Sequence, residues 1–106
     1  MKLAIVINTN EPETAWNALR LGNAALNTGH RVSVFLLGPG VEIEDIKDAT
    51  YNVAEQINSL THRRGNLLGC GTCLGMRHRE PVKIVKSTLD ELLNILADSD
   101  KVVSFG

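Results

Sequence analysis

The sequence predicts an α/β fold: an open, mostly parallel five-stranded sheet with helices on both faces, in three layers. Three observations predict it. Apolar, β-branched runs recur at 2–7, 31–37 and 102–105, and runs without polar alternation belong to strands buried on both faces. Stretches of helical period separate the extended segments. The whole is packed into 106 residues, which is one domain with no room for a second core.

The first strand is Lys2-Leu-Ala-Ile-Val-Ile7. Asn8, Thr9 and Asn10 follow, and an Asn or Thr there is expected to cap a helix whose first turn holds Pro12 and two glutamates. Ala15, Ala18, Leu19, Gly22, Ala25 and Leu26 fall at helical spacing, and Gly29 ends the helix. Residues 31–37 form the second strand. Strand, helix and strand in this length make a right-handed βαβ unit, so the two strands are parallel neighbours.

Gly38-Pro39-Gly40 reads as a turn, and Ile43 and Ile46 point to a short helical turn within 41–48. A second helix is expected over 49–63, with Val53, Ile57 and Leu60 on one face and Gly65 ending it. A short third strand through 66–69 then delivers Cys70 to its carboxyl end. A short helix over 71–78 is broken by Pro81, and 82–85 alternates as a fourth extended segment. Ser87 or Thr88 caps a last helix carrying Leu89, Leu92, Leu93, Leu96 and Ala97 on one face. Residues 102–105 close the sheet.

Bulk composition narrows the function. Hydrophobic content of 43% and charged content of 22% place the chain among globular domains. A net charge of -1 lacks the basic excess of a nucleic-acid binder. The local clusters Arg63-Arg64 and Arg77-His78-Arg79 suit a small anion better than a duplex. The first apolar run is too short for a membrane span or a signal-peptide core, so the expected location is the cytoplasm. In that reducing compartment two cysteines spaced C-x-x-C make a poor structural staple. They point instead to redox, metal or sulfur chemistry.

Both cysteines lie in Leu67-Leu-Gly-Cys70-Gly-Thr-Cys73-Leu-Gly-Met-Arg77-His-Arg79. In open parallel sheets, sites form outside the carboxyl ends of the strands, which is where Cys70 falls. A following helix and nearby arginines favour its thiolate, lowering its pKa below the free value of about 8.5. Gly69 and Gly71 leave the sulfur accessible. Arg77 lies about two helical turns beyond and is a candidate holder of an anionic sulfur, or a solvated arginine. Cys73, about one turn away, could resolve a sulfur adduct on Cys70 as an internal disulfide.

Other readings of the pair stay open. Dithiol exchange would use Cys70 to attack and Cys73 to resolve, although a thioredoxin-like domain carries its pair after the first strand of its redox unit. Zinc would need Cys70, Cys73 and His78 with His30 or His62, and no second C-x-x-C is present, so no metal is expected. Two inert, buried cysteines in a non-catalytic oligomeric scaffold are the bland alternative. Asn8, Thr9 and Asn10 could line the same crevice as Cys70 or simply cap a helix. Trp16 reads as core or subunit interface. Gly38-Pro39-Gly40 lacks dinucleotide-loop spacing, and no cofactor is expected.

Strand, Cys70-Gly-Thr-Cys73-Leu74 and then Arg77 together resemble the DsrE-like family of small sulfur-relay proteins (the DsrE, TusD and YchN relatives). The agreement extends to the first strand, the Gly38-Pro-Gly-Val41 turn, the Gly65 break, and the Leu-rich helix before the last strand. The resemblance implies a five-stranded α/β fold assembled as a homo-oligomer, a trimer or a hexamer. It implies that Cys70 accepts sulfane sulfur as a persulfide from a donor protein and hands it to an acceptor protein. Relay members often have a small non-thiol residue where this chain has Cys73, so the role of Cys73 does not carry over.

Overall fold

In a computed structural model, which describes residues 1–106, all five extended segments join one sheet. The strands are β1 (Lys2–Ile7), β2 (Arg31–Leu36), β3 (Asn66–Cys70), β4 (Val85–Ser87) and β5 (Lys101–Phe105). Their order is β4-β3-β2-β1-β5 and every pairing is parallel. The helices are α1 (Pro12–Asn27), α2 (Val53–His62), α3 (Gly71–Met76) and α4 (Leu89–Asp98), with a 3-10 segment at Gly38–Asp45.

The sheet has two buried faces because its strands alternate apolar side chains to both sides. Leu3, Ile5, Ile7, Val32, Val34, Leu36 and Leu67 point to one face. There they meet Ala15, Ala18 and Leu19 of α1 and Val53, Ile57 and Leu60 of α2. Phe35 and Cys70, with Val6 and Leu68, point the other way and meet Leu92, Ile95 and Leu96 of α4. Three layers result.

Local chemistry sets element boundaries that pattern alone misplaces. The cap of α1 is Glu11, not Asn or Thr: its carboxylate accepts the N–H groups of Glu13 and Thr14 at 3.0 and 2.9 Å. Thr9 turns instead to accept the Glu11 N–H at 3.1 Å. Helix α2 begins at Val53, later than residue 49, because the Asn52 side chain caps it by accepting from Glu55 N–H at 3.1 Å. The preceding residues are held in a turn by Asp48, whose Oδ1 accepts from Thr50 and Tyr51. Gly38-Pro39-Gly40 is no separate turn but the opening of the 3-10 segment, which buries Val41 and Ile43.

The fourth strand also shifts. Its paired part starts at Val85 rather than Val82, because the N–H groups of Val82 and Lys83 donate to the Glu44 carboxylate instead of to a strand. Thr88, not Ser87, caps α4 by accepting from Glu91 N–H. The single apolar face expected for α4 is divided. Leu92 is buried, whereas Leu89 and Leu93 stay 58% and 66% exposed.

Leu19 is fully buried between α1 and the sheet. Leu19→Ala is expected to cost about 2–5 kcal/mol, read as a lower denaturation midpoint at unchanged m-value. A pH dependence follows from Glu11. The Thr14 hydroxyl, then the Thr14 and Glu13 N–H groups, hold its carboxyl below the ordinary value of 4.5. A folded-state pKa below the unfolded one stabilises the fold at higher pH and loses that effect as pH falls through the folded value. Wild type should therefore be more stable than Glu11→Gln at neutral pH. The gap should close on acidification below 4.5, measured by denaturation of both proteins across that range.

Candidate functional site

The site begins where β3 turns into α3 without a loop. Cys70 is both the last residue of β3 and the N-cap of α3, with φ -60° and ψ 117°. Its register partner on β4 is Ser87. From β3 the chain continues through α3, whose Leu74 joins the core on the α1 and α2 face. From β4 it continues through α4 over the opposite face. The carboxyl ends of β3 and β4 are thus the point where successive connections part to opposite sides, the switch point at which open α/β sheets form their crevices.

Sequence pattern offers Ser87 only as a candidate cap and does not mark it as a neighbour of Cys70. It is buried, and its hydroxyl donates to the Glu91 carboxylate at 2.7 Å. No local pattern marks it; only strand pairing brings it beside Cys70.

The glycines beside Cys70 serve packing rather than access. A Cβ on Gly69 would stand 2.6 Å from Ile84 Cγ2, and one on Gly71 would stand 3.3 Å from the Ser87 carbonyl oxygen. Cys70 itself is only 5% exposed, packed with Phe35 and Leu92. The expectation of an accessible Cys70 sulfur is therefore corrected for the single chain, because α4 lies over it. Cys73 is half-buried and touches the apolar clusters on both faces of the sheet. Its Sγ accepts the Gly38 N–H at 3.3 Å. Of the two free cysteines, Cys73 is the more open.

Two influences compete at the Cys70 sulfur. Burial, the larger single one, pushes the thiol up. The N–H and thiol of Cys73 and the N–H and hydroxyl of Thr72 act together against it and hold the pKa below the ordinary 9.0. No cap hydrogen bond of standard geometry closes on the Cys70 side chain. The thiolate is thus favoured by dipoles aimed at it from the first turn of α3 rather than by closed bonds. Arginine has no part in this, contrary to the sequence expectation.

Arg77 ends α3 and looks elsewhere. Its Nη1 donates to the Cys73 carbonyl at 3.3 Å, and its Nε lies 3.8 Å from Glu42 Oε2. Glu42 in turn accepts from Asn10 Nδ2 at 2.9 Å, so Asn10 reaches the edge of the site through Glu42. The three sequence-predicted residues are therefore neighbours on one short element. Cys70 and Cys73 share one apolar cluster, while Arg77 engages the end of the helix.

The histidines are dispersed. His30 Nδ1 is 2.8 Å from the amino terminus, and His62 sits in the last turn of α2. His78, at φ 52°, lines a cavity of about 390 Å³ between α2 and the chain after α3. No group of three or more His, Cys, Asp or Glu side chains is arranged to hold a metal ion. Trp16 packs partly against the core, 5.4 Å from the Tyr51 ring, with the Arg20 guanidinium 4.2 Å over it.

The model of the DsrE/DsrF-like family matches residues 1–105, the length of the fold just described. The chain belongs to this family. No curated protein matches it. Membership in the DsrE/DsrF-like family implies sulfur relay at the level of the family, and its members often oligomerise. No helix is long and apolar enough to cross a membrane.

Alkylation of the Cys70 peptide, followed by mass against pH, should rise with a midpoint below 9.0. Thr72→Val removes a hydroxyl that favours the thiolate, so it should move the midpoint upward. A wild-type midpoint at or above 9.0 would contradict the dipole account.

Proposed function

We propose that this protein carries sulfane sulfur as a persulfide on Cys70, taking it from a donor protein and passing it to an acceptor protein in the cytoplasm. The observation that carries this reading is the position of Cys70: a thiol favoured as thiolate at the strand-to-helix junction beside the switch point. Family membership supports the sulfur chemistry.

The chemistry is two displacements. The Cys70 thiolate attacks the outer sulfur of a donor persulfide, a new S–S bond forms, and the donor departs as its thiolate. An acceptor thiolate then attacks the outer sulfur on Cys70, and the Cys70 thiolate leaves. A lowered pKa helps twice, since it supplies the nucleophile and later makes a better leaving group. This is sulfurtransferase-like chemistry without a cofactor. Arg77 contributes by positioning: its bonds to Cys73 and Glu42 fix the end of α3 and with it the turn that faces Cys70.

Incubation with a persulfide donor should add one sulfur to the intact mass of Cys73→Ser and none to Cys70→Ser. No adduct on Cys73→Ser would sink the carrier reading. The burial of Cys70 favours a second reading, a non-catalytic oligomeric scaffold with structural cysteines. That reading predicts slow alkylation of both thiols under native conditions and no adduct on any variant.

The carrier acts as a homo-oligomer, a trimer or hexamer. Leu89 and Leu93, one turn apart on α4, stay largely uncovered in the single chain. Sedimentation should give a mass three or six times 11.5 kDa for wild type. Replacing Leu89 and Leu93 together with Glu should shift the protein toward monomer.

A further inference from the structure

We propose that Cys73 is the discharging thiol for Cys70: it converts an undelivered Cys70 persulfide into a Cys70–Cys73 disulfide and releases hydrosulfide. The inference rests on the persulfide reading of Cys70 and adds the control of that persulfide.

Geometry carries it. Cys70 is the N-cap of α3 and Cys73 is its third residue, the two positions whose side chains face each other across a helix start. Both lie in the small apolar cluster with Phe35 and Leu92. Cys73 is held there from outside its helix, because its Sγ accepts the Gly38 N–H at 3.3 Å. Both cysteines are free.

Access decides the direction of the reaction. Cys70 is 5% exposed, so a protein acceptor must displace packing to reach its outer sulfur. Cys73 is already beside it, and hydrosulfide is a small leaving group.

The step balances. The Cys73 thiol, as thiolate, attacks the inner sulfur of Cys70–S–S⁻. The Cys70–Cys73 bond forms, the bond to the outer sulfur breaks, and that sulfur leaves as HS⁻ with the proton from Cys73. The sulfane sulfur is reduced by two electrons and the two cysteines are oxidised to the disulfide. A dithiol, from a small molecule or a protein, returns the pair to the reduced state.

The experiment uses full-length wild type loaded with glutathione persulfide, then stripped of donor and left without reductant. Intact mass and free sulfide are followed together. The added sulfur should disappear from wild type with about one equivalent of sulfide released. The remaining protein should be two hydrogens lighter than the dithiol, and dithiothreitol should restore the mass. In Cys73→Ser the adduct should persist, lost at least ~10-fold more slowly, with no sulfide.

Wild type that keeps its added sulfur as long as Cys73→Ser does would overturn the inference and leave the carrier reading intact. Appearance of the sulfur on the Cys73 peptide without sulfide release would also overturn it, showing a relay station instead. Failure of Cys73→Ser to load would bring down the carrier reading and this inference with it. The wild-type masses decide the matter even if the variant does not fold.

Discussion

The return of the chain from β4 to β5 is the constraint on which this structure depends. Three connections step in one direction across the sheet from β1 to β4, and the fourth must come back past all of them. Right-handed crossovers that step one way keep their helices on one face, so a connection running the other way must use the opposite face. Helix α4 is therefore the element that supplies the second covering layer. The same reversal parts the chain at the ends of β3 and β4, and Cys70 ends β3. One topological requirement thus closes the core and sets Cys70 at the switch point.

It also explains the tension at Cys70. A thiol placed at the switch point gains the dipoles of the first turn of α3, but α4 presses Leu92 and its neighbours over that spot. Burial and dipoles then work against each other, and the dipoles prevail. Each pKa unit of such a balance is worth about 1.4 kcal/mol, so small changes in the first turn of α3 move the thiolate population substantially. Thr72 and Cys73 are therefore more than spacers in C-x-x-C. They are the side chains whose polar ends face the sulfur.

What could be read in the sequence was what local pattern encodes. The β-branched runs of β1 and β2 and the Gly29 stop located the first two strands and α1 closely, whereas α2 ends through Arg64, at φ 66°, one residue before the expected Gly65. Cys70 was legible as the end of a strand for the same reason. Errors fell where a side chain from another segment captured the backbone: Glu44 took the N–H groups of Val82 and Lys83, delaying β4 to Val85. Glu11 displaced the better-known capping residues through a two-point grip no propensity predicts. The outward turn of Leu89 and Leu93, the closeness of Ser87 and the burial of Cys70 were illegible for one cause. Each depends on how α4 and β4 meet the rest of the sheet, which is tertiary information.

A thiol that holds anionic sulfur and a thiol that meets the solvent have opposing needs. The first wants convergent dipoles and shelter from stray nucleophiles; the second wants an open approach. At this junction the first need is met at the expense of the second, because the turn that stabilises Cys70 is roofed by α4. The short helix α3 places two sulfurs of unequal exposure across a single turn. Cys70 takes the sheltered position at the N-cap, and Cys73 takes the more open one, anchored by Gly38. Arg77 then ties the Cys73 carbonyl to the far end of the same helix and to Glu42. The C-x-x-C spacing thus sets a buried sulfur and a more open one a single helical turn apart.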